Sequence, residues 1–206
     1  MGLRETKKEQ RRLAIEEAAR HFFIEEGFER CSVEKIASAT DMARGTFYLY
    51  FPDKISVFET LAERLYSPLV KALEVAAERL ALAQSASEQQ VLYAQMAWEI
   101  GGALEEADSL VMLHFREAWC AGPAGDCIRQ WRSRIEMLAA QGLEDAVSRG
   151  FVRPHDTRVA AMAIVGAGER MIWARLESAS SVDRAQVSAE LADLFWRGIH
   201  GGGQPG

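Results

Sequence analysis

The chain has 206 residues, of which 49% are hydrophobic and 26% are charged, and its formal net charge is -6. This composition is typical of a soluble globular protein and excludes a disordered chain. The sequence has no uninterrupted apolar run of the ~18 residues that a membrane span needs. Its charged beginning leads into no apolar signal core, so we expect a cytoplasmic protein.

The charge is unevenly distributed along the chain. Residues 1–54 contain ten basic and ten acidic residues, so the whole negative excess lies beyond residue 54. Only the amino-terminal part could therefore approach the phosphates of a nucleic acid without repulsion.

The first predicted element is an amphipathic helix over residues 7–26. Gly27 is expected to end it in a left-handed conformation, and Phe28 is expected to pack back beyond that end. The apolar stripe of this helix consists of Ile15, Ala18, Ala19, Phe22 and Phe23, spaced at i, i+3, i+4, i+7 and i+8.

Two short helices follow, separated by the turn Thr40-Asp41-Met42. Ser32 is a good N-cap for the first of them, and the second is predicted from Ala43 to about Tyr50. Pro52 then stops the pattern, and Asp53 can cap the next helix. The small core of the three helices is expected to consist of Phe22, Phe23, Ile36, Phe47 and Phe51.

The rest of the chain also has helical periodicity and contains no convincing strand, so the predicted fold class is all-α. A kink or break is expected at Ser67-Pro68, and the Gly-rich tail 201–206 is expected to be disordered. The further helices are predicted at about 53–84, 88–106, 109–121, 125–149, 156–178 and 183–199.

A long helix behind two short ones joined by a tight turn is the arrangement of a helix-turn-helix DNA reader. With Phe47 and Phe51 inward, the side chains around Arg44 are left outward. An arginine can pair with both acceptors of a guanine edge, whereas hydroxyls and Lys54 suit phosphates. A three-helix bundle that merely packs is the alternative interpretation of the same pattern.

The segments GF at 27–28, SVEKIA at 32–37, RGTFY at 44–48 and YFPDK at 50–54 together resemble the TetR family of bacterial transcriptional regulators. The resemblance implies an amino-terminal helix-turn-helix DNA-binding domain (1–54) and a carboxyl-terminal helical effector-binding and dimerisation domain (55–200). The DNA-facing residues that it implies are Ser32, Arg44, Gly45, Thr46, Tyr48, Leu49, Tyr50 and Lys54.

Three positions depart from the usual pattern of that family. Asp41 stands where a turn glycine is usual, and Ala43 stands where a capping Ser or Thr is usual. Asp tolerates the left-handed conformation better than most residues, but Ala cannot cap a helix. Leu49 replaces a polar or aromatic residue and can touch only a thymine methyl. We expect these changes to affect the preferred operator.

The carboxyl-terminal region is rich in Trp and Met, which either fill an ordinary core or line an adaptable apolar pocket. The resemblance implies a small-molecule effector here. His114 is either its polar contact or a core histidine whose hydrogen bonds are satisfied within the protein. The proposed pocket residues are Met96, Trp98, His114, Phe115, Trp119, Met137, Met162 and Trp173. The resemblance also implies a homodimer formed by the last two helices, through Ala163, Ala167, Leu191, Leu194 and Phe195.

These features predict a transcriptional regulator that binds a near-palindromic double-stranded DNA operator. The sequence leaves repressor and activator open, and the resemblance favours a repressor that is released by a small apolar or amphipathic ligand. An effector-binding or protein-interaction module with a degenerate DNA reader, or an uncharacterised helical enzyme, remains an alternative. The sequence has no HExxH, G-x-S-x-G, P-loop or dinucleotide-binding glycine motif, so we expect no catalytic residues and no cofactor.

The cysteines and histidines of the chain show no metal-ligand spacing. Cys31, Cys120 and Cys127 are an odd number without a paired framework, which indicates a reducing compartment. We expect no metal, and a redox role of Cys120 or Cys127 is left open.

Overall fold

A computed structural model describes residues 3–107, 109–177 and 184–199 of the chain. All regular structure in these ranges is helical, which confirms the all-α fold class. The linker expected at 178–181 and the tail at 201–206 lie outside the described residues. The helices are α1 (Leu3–Glu26), α2 (Val33–Ala39), α3 (Arg44–Phe47), α4 (Lys54–Leu82), α5 (Ala86–Ala107), α6 (Ser109–Glu117), α7 (Pro123–Ser148), α8 (Thr157–Glu177) and α9 (Arg184–Ile199).

The end of α1 agrees with the sequence prediction. Gly27 has a φ of 86°, a conformation that costs glycine little because it lacks a Cβ atom. Phe28 then turns back into the core, where its ring centroid lies 5.3 Å from that of Phe23 and 5.4 Å from that of Phe58. The start of α1 differs from the prediction, because the charged residues before position 7 are already helical.

The turn between α2 and α3 depends on Asp41, whose φ is 52°. The main-chain N–H of Met42 donates to Ala37 O at 2.9 Å, which closes the turn. The prediction that Asp takes the left-handed position of the usual glycine is therefore confirmed. Helix α3 is shorter than predicted, because only Arg44–Phe47 is helical and residues 48–50 form a turn.

Helix α4 begins where Asp53 caps it: the carboxylate Oδ1 accepts from Ser56 N at 2.8 Å. The break expected at Pro68 does not occur, since the helix continues without interruption to Leu82. None of the helices in the described ranges is long and apolar enough to cross a membrane.

Within the described residues, contacts divide the chain into two compact units. One is drawn from Met1–Tyr66 and Ala107–Gln130, and it contains α1–α3, the first part of α4, and α6. The other is drawn from Ser67–Glu106 and Trp131–Gly206. Its core includes Leu143, Ala146, Val152, Ala161, Trp196 and Ile199. The functional division at residue 54 remains a prediction.

Candidate nucleic-acid interface

The short helices are held by an aromatic and aliphatic core in the first unit. Ile36 and Phe47 are completely buried, and the ring of Phe51 lies with its centroid 6.1 Å from that of Phe47. Phe22 departs from the prediction, because it is only half-buried and carries the Lys35 ammonium 5.6 Å from its ring centroid. Ile36 therefore anchors α2 in this core, and Phe47 and Phe51 anchor α3 and the turn that follows it.

The residues expected to face DNA form an outward row on this scaffold. Leu49 is the most exposed of the large apolar residues in the row, at 75%. Thr46, Tyr50 and Lys54 are half-buried. The exposed members of the row are Ser32, Arg44, Gly45, Tyr48 and Leu49.

The side chain of Arg44 is held by contacts with the side chains of Glu34 and Tyr48. Its Nη1 lies 2.8 Å from Glu34 Oε1, and its Nη2 donates to the Tyr48 hydroxyl at 3.4 Å. The bond to Tyr48, and then the charge of Glu34, raise the pKa of the guanidinium. The pKa of Glu34 is lowered, first by a bond from its own main-chain N–H and then by the Ser32 hydroxyl. Both groups are therefore charged at neutral pH.

The N-termini of the two short helices differ in capping. Ser32 caps α2 by accepting from Lys35 N at 3.2 Å. Ala43 precedes α3 and provides no side-chain hydrogen bond, as expected for alanine. Helix α3 thus depends on its buried Phe47 more than on local hydrogen bonds.

Lys54 is placed differently from the phosphate-contacting role expected of it. Its ammonium donates to Phe28 O at 2.6 Å and to Cys31 O at 2.8 Å, and it lies 4.1 Å from the centroid of the Phe28 ring. In this conformation the charge satisfies main-chain carbonyls between α1 and α2. Lys54 therefore positions the segment that leads to Ser32.

Glu117 on α6 holds the same segment, and sequence reasoning missed it. Its carboxylate is buried, and Oε1 accepts from Phe28 N at 2.7 Å across 89 positions of the chain. The neighbouring Arg116 donates from Nη2 to Glu25 O at 3.3 Å. The sequence spacing could have predicted its burial, because Glu117 lies seven residues after Leu110 and four after Leu113, on the apolar stripe of α6.

A second buried carboxylate, Glu16, fixes α1 in the same unit. Arg12 Nε lies 3.2 Å from Glu16 Oε1, and Arg64 of α4 forms an ion pair with the other oxygen. The Arg12 guanidinium also lies 5.4 Å from the centroid of the Phe51 ring. These contacts connect α1 to α4 and to Phe51, which lies four residues after the end of α3.

The residues expected to line an effector pocket fall in both units. His114 is buried in the first unit, where its Nδ1 is hydrogen-bonded to the Tyr66 hydroxyl. Trp119 is 78% exposed. Phe115, also in the first unit, is half-buried. In the second unit, Met96 and Trp173 are half-buried, and Trp98, Met137 and Met162 are exposed. The pocket remains a prediction.

The expected dimer residues lie on α8 and α9 of the second unit. Leu194 is 67% exposed, and Ala163 is exposed as well. Ala167, Leu191 and Phe195 are half-buried. Val159 and Met162, which are also on α8, leave further apolar surface exposed on that helix.

A three-helix unit with an outward row of Arg, hydroxyl and tyrosine side chains has the arrangement of a helix-turn-helix DNA-binding unit. Residues 15–61 match the family model described as bacterial regulatory proteins, tetR family. The resemblance predicted from the sequence is therefore confirmed for this segment, which matches the amino-terminal model of that family.

Known relatives support the assignment. A 45-residue segment is 40% identical to the nucleoid occlusion factor SlmA of Actinobacillus pleuropneumoniae strain L20, and it covers 22% of each chain. The matched part of the chain thus spans about a fifth of the length of the curated relatives.

Solved structures share the fold over nearly the whole chain. NalD, the secondary repressor of the MexAB-OprM efflux pump in Pseudomonas aeruginosa, has a TM-score of 0.73 at 21% identity and covers 95% of this chain and 98% of its own. FadR of Bacillus subtilis, solved with stearoyl-CoA, has a TM-score of 0.69 at 20% identity, and the match covers 91% of this chain and 99% of the FadR chain. At these identities the similarity establishes the fold.

Proposed function

We propose that the protein is a sequence-specific, DNA-binding transcriptional regulator that acts in the cytoplasm and has no enzymatic activity. One observation carries this proposal: within the tetR-family segment, an outward row around Arg44 stands on a reader whose inward residues are fully packed. A segment that served only for packing would not need to present arginine, hydroxyl and tyrosine groups together on one exposed face.

The outward residues divide by chemistry into base readers and phosphate contacts. Arg44 suits the two acceptors of a guanine edge, and Leu49 suits a thymine methyl. The hydroxyls of Ser32, Thr46 and Tyr48 suit phosphates, which set the register of the protein on the duplex. The proposed set also includes Tyr50 and Gly45, the latter allowing close approach, whereas Lys54 acts by positioning the α1–α2 connection.

We propose that the working form is a homodimer. One DNA-binding unit of this size makes few contacts with DNA. The apolar side chains that α8 and α9 leave exposed support a pairing of these helices with the same helices of a second copy. Two-fold symmetry would give a near-palindromic operator with half-sites about 34 Å apart.

We further propose that a small apolar or amphipathic ligand binds within residues 55–200 and releases the operator. The similar fold of FadR was solved with stearoyl-CoA, which supports a ligand of this chemical class. Helix α4 is continuous from Lys54 to Leu82, so a displacement of its distal end would be carried to the reader. To change the bound fraction from 99% to 1%, the ligand must prefer the released state by ~5.5 kcal/mol.

The DNA-binding proposal is tested by fluorescence anisotropy. The probes are duplexes from the upstream region of the protein's own gene and a shuffled duplex of equal length. We expect tight, salt-sensitive binding with a clear preference for one natural duplex. Arg44→Ala should reduce that preference, and bidentate contacts of this kind discriminate by about 5- to 150-fold. Weak and equal binding to all duplexes would instead indicate an interaction module.

The ligand and dimer proposals are tested together by native mass spectrometry of freshly isolated protein. We expect a dimer, with a co-purified small molecule of fixed mass whose removal changes DNA affinity. A monomer would contradict the proposed two-fold symmetric operator. A dimer whose DNA affinity is unaffected by removing every bound molecule would contradict the release mechanism.

A further inference from the structure

The ion pair between Glu34 and Arg44 crosses the turn of the reader. Glu34 lies in the first turn of α2, and Arg44 is the first residue of α3. Both side chains are more than half exposed, at 53% and 62%, yet Oε1 and Nη1 are only 2.8 Å apart. An acidic group thus stands within direct contact of the cation best suited to read a base.

The contacts of Arg44 leave it able to bind DNA. A guanidinium has five N–H donors, of which Glu34 occupies one on Nη1 and the Tyr48 hydroxyl engages one on Nη2. Three donors remain, which is enough for the O6 and N7 acceptors of a guanine. Because Glu34 and Tyr48 hold the side chain from two sides, less rotamer freedom is lost when it binds.

The carboxylate treats the two DNA targets of Arg44 differently. A guanine edge carries acceptors with only partial negative charge, so an anion beside the guanidinium repels it much less than it repels a full charge. A phosphate is itself an anion, and it would be repelled by Glu34 at contact distance. Non-specific DNA binding comes almost entirely from phosphate contacts. The arrangement therefore weakens the non-specific mode more than the specific one.

The ion pair between Glu34 and Arg44 contributes little to the stability of the fold. Ion pairs between exposed side chains contribute little to folding, because water screens the charges and the side chains lose entropy. The turn is already closed by main-chain bonds to Ala37 O and by the left-handed Asp41. The more consequential effect of Glu34 is on the charge of the DNA-reading surface.

We propose that Glu34 is a specificity-determining residue: its carboxylate holds Arg44 for a guanine edge and keeps it from the phosphate backbone. This inference rests on the proposed DNA-reading function and names the residue that sets its selectivity. Glu34 is a positioning residue in this role, because it acts through Arg44.

The test compares Glu34→Gln with wild type, using Glu63→Gln as the control. Glu63 is an exposed residue of α4, so its substitution removes the same charge from a different place. Each protein is used to select duplexes from a random library, and its affinity for the wild-type consensus and for unselected duplexes is measured from 50 to 200 mM salt. Far-ultraviolet circular dichroism confirms that each variant is folded.

We expect Glu34→Gln to bind unselected duplexes more tightly, by up to about eightfold at 0.1 M salt, because one more phosphate contact forms. Its salt slope should steepen by about 0.9, and its selected consensus should lose guanine preference at the position that Arg44 reads. Glu63→Gln should resemble wild type. In an Arg44→Ala background, Glu34→Gln should have no such effect, because Arg44 mediates it.

Three outcomes would overturn the inference. One is an unchanged specificity ratio in Glu34→Gln, and another is an equal change in Glu63→Gln, which would reflect net charge alone. A third is persistence of the effect without Arg44. If wild type itself selects no sequence, the proposed function fails and this inference fails with it, whereas a selective wild type matched by Glu34→Gln refutes only the role of Glu34.

Discussion

Removing the Glu117 carboxylate should loosen the connection between α1 and α2. This carboxylate accepts from the buried main-chain N–H of Phe28, for which the structure shows no other acceptor among the described residues. Glu117→Ala leaves that donor without a protein partner. A buried polar group without a partner costs about 1–3 kcal/mol, and hydrogen bonds to charged groups are worth about as much.

We therefore expect Glu117→Ala to lower the free energy of unfolding by about 2 kcal/mol. For a chain of this size, this corresponds to a fall of roughly 4–8 °C in the melting temperature. Glu117→Gln keeps an acceptor oxygen but loses the charge, so we expect a smaller fall. Glu63→Ala, at an exposed position of α4, is the control and should have little effect.

The assay combines thermal unfolding with amide hydrogen exchange, because exchange reports on the Phe28 N–H directly. We expect its protection to fall sharply in Glu117→Ala and only partly in Glu117→Gln. Unchanged protection at Phe28 would show that the bond does not limit local opening. A raised melting temperature would show that the cost of burying the carboxylate exceeds what its bond contributes.

Lys54→Met should lower the free energy of unfolding by about 1–3 kcal/mol in a urea titration, because it removes an ammonium bonded to two main-chain carbonyls while keeping an apolar stem. Leu194→Glu should give a monomer in analytical ultracentrifugation, because it places a charge on the proposed dimer face. At pH 8 a thiol reagent should modify Cys120 first, since burial raises the pKa of Cys31 and of Cys127 to about 11 and keeps those thiols neutral.

Each of these three predictions has its own control. Lys7→Met removes an exposed lysine of α1 and should leave stability unchanged. Glu190→Gln substitutes an exposed residue of α9 and should leave the dimer intact. Cys120→Ser should abolish the fast thiol reaction, and Cys31 and Cys127 should react only as the pH approaches 11 or as the protein unfolds. Fast modification of all three thiols at pH 8 would contradict the burial argument.

Local chemistry made much of the reader predictable from the sequence. Gly27, Asp41 and Asp53 act through bonds within a few residues, so their roles in a helix end, a turn and a cap follow from residue type. The burial of Phe47 and Phe51 follows equally from their i, i+4 spacing. For these features, local preference and tertiary packing agree.

The contacts between distant segments could not be predicted in the same way. Lys54 has the chemistry of a phosphate contact, and only the folded chain shows that its ammonium is bonded to two carbonyls of the α1–α2 connection. The pairing of Arg44 with Glu34 depends on the angle between two short helices, which the periodicity does not determine. Helix α3 also ends earlier than its apolar pattern indicates.

Helix α3 is a single turn that lacks a side-chain cap and is anchored by Phe47. Its exposed positions consequently add little to folding, whereas in the proposed mode of DNA binding they determine which bases are contacted. Mutations there can alter the genes under control at nearly constant thermal stability. Descendants of such a protein could therefore acquire new target sites by successive surface substitutions, without passing through unstable intermediates.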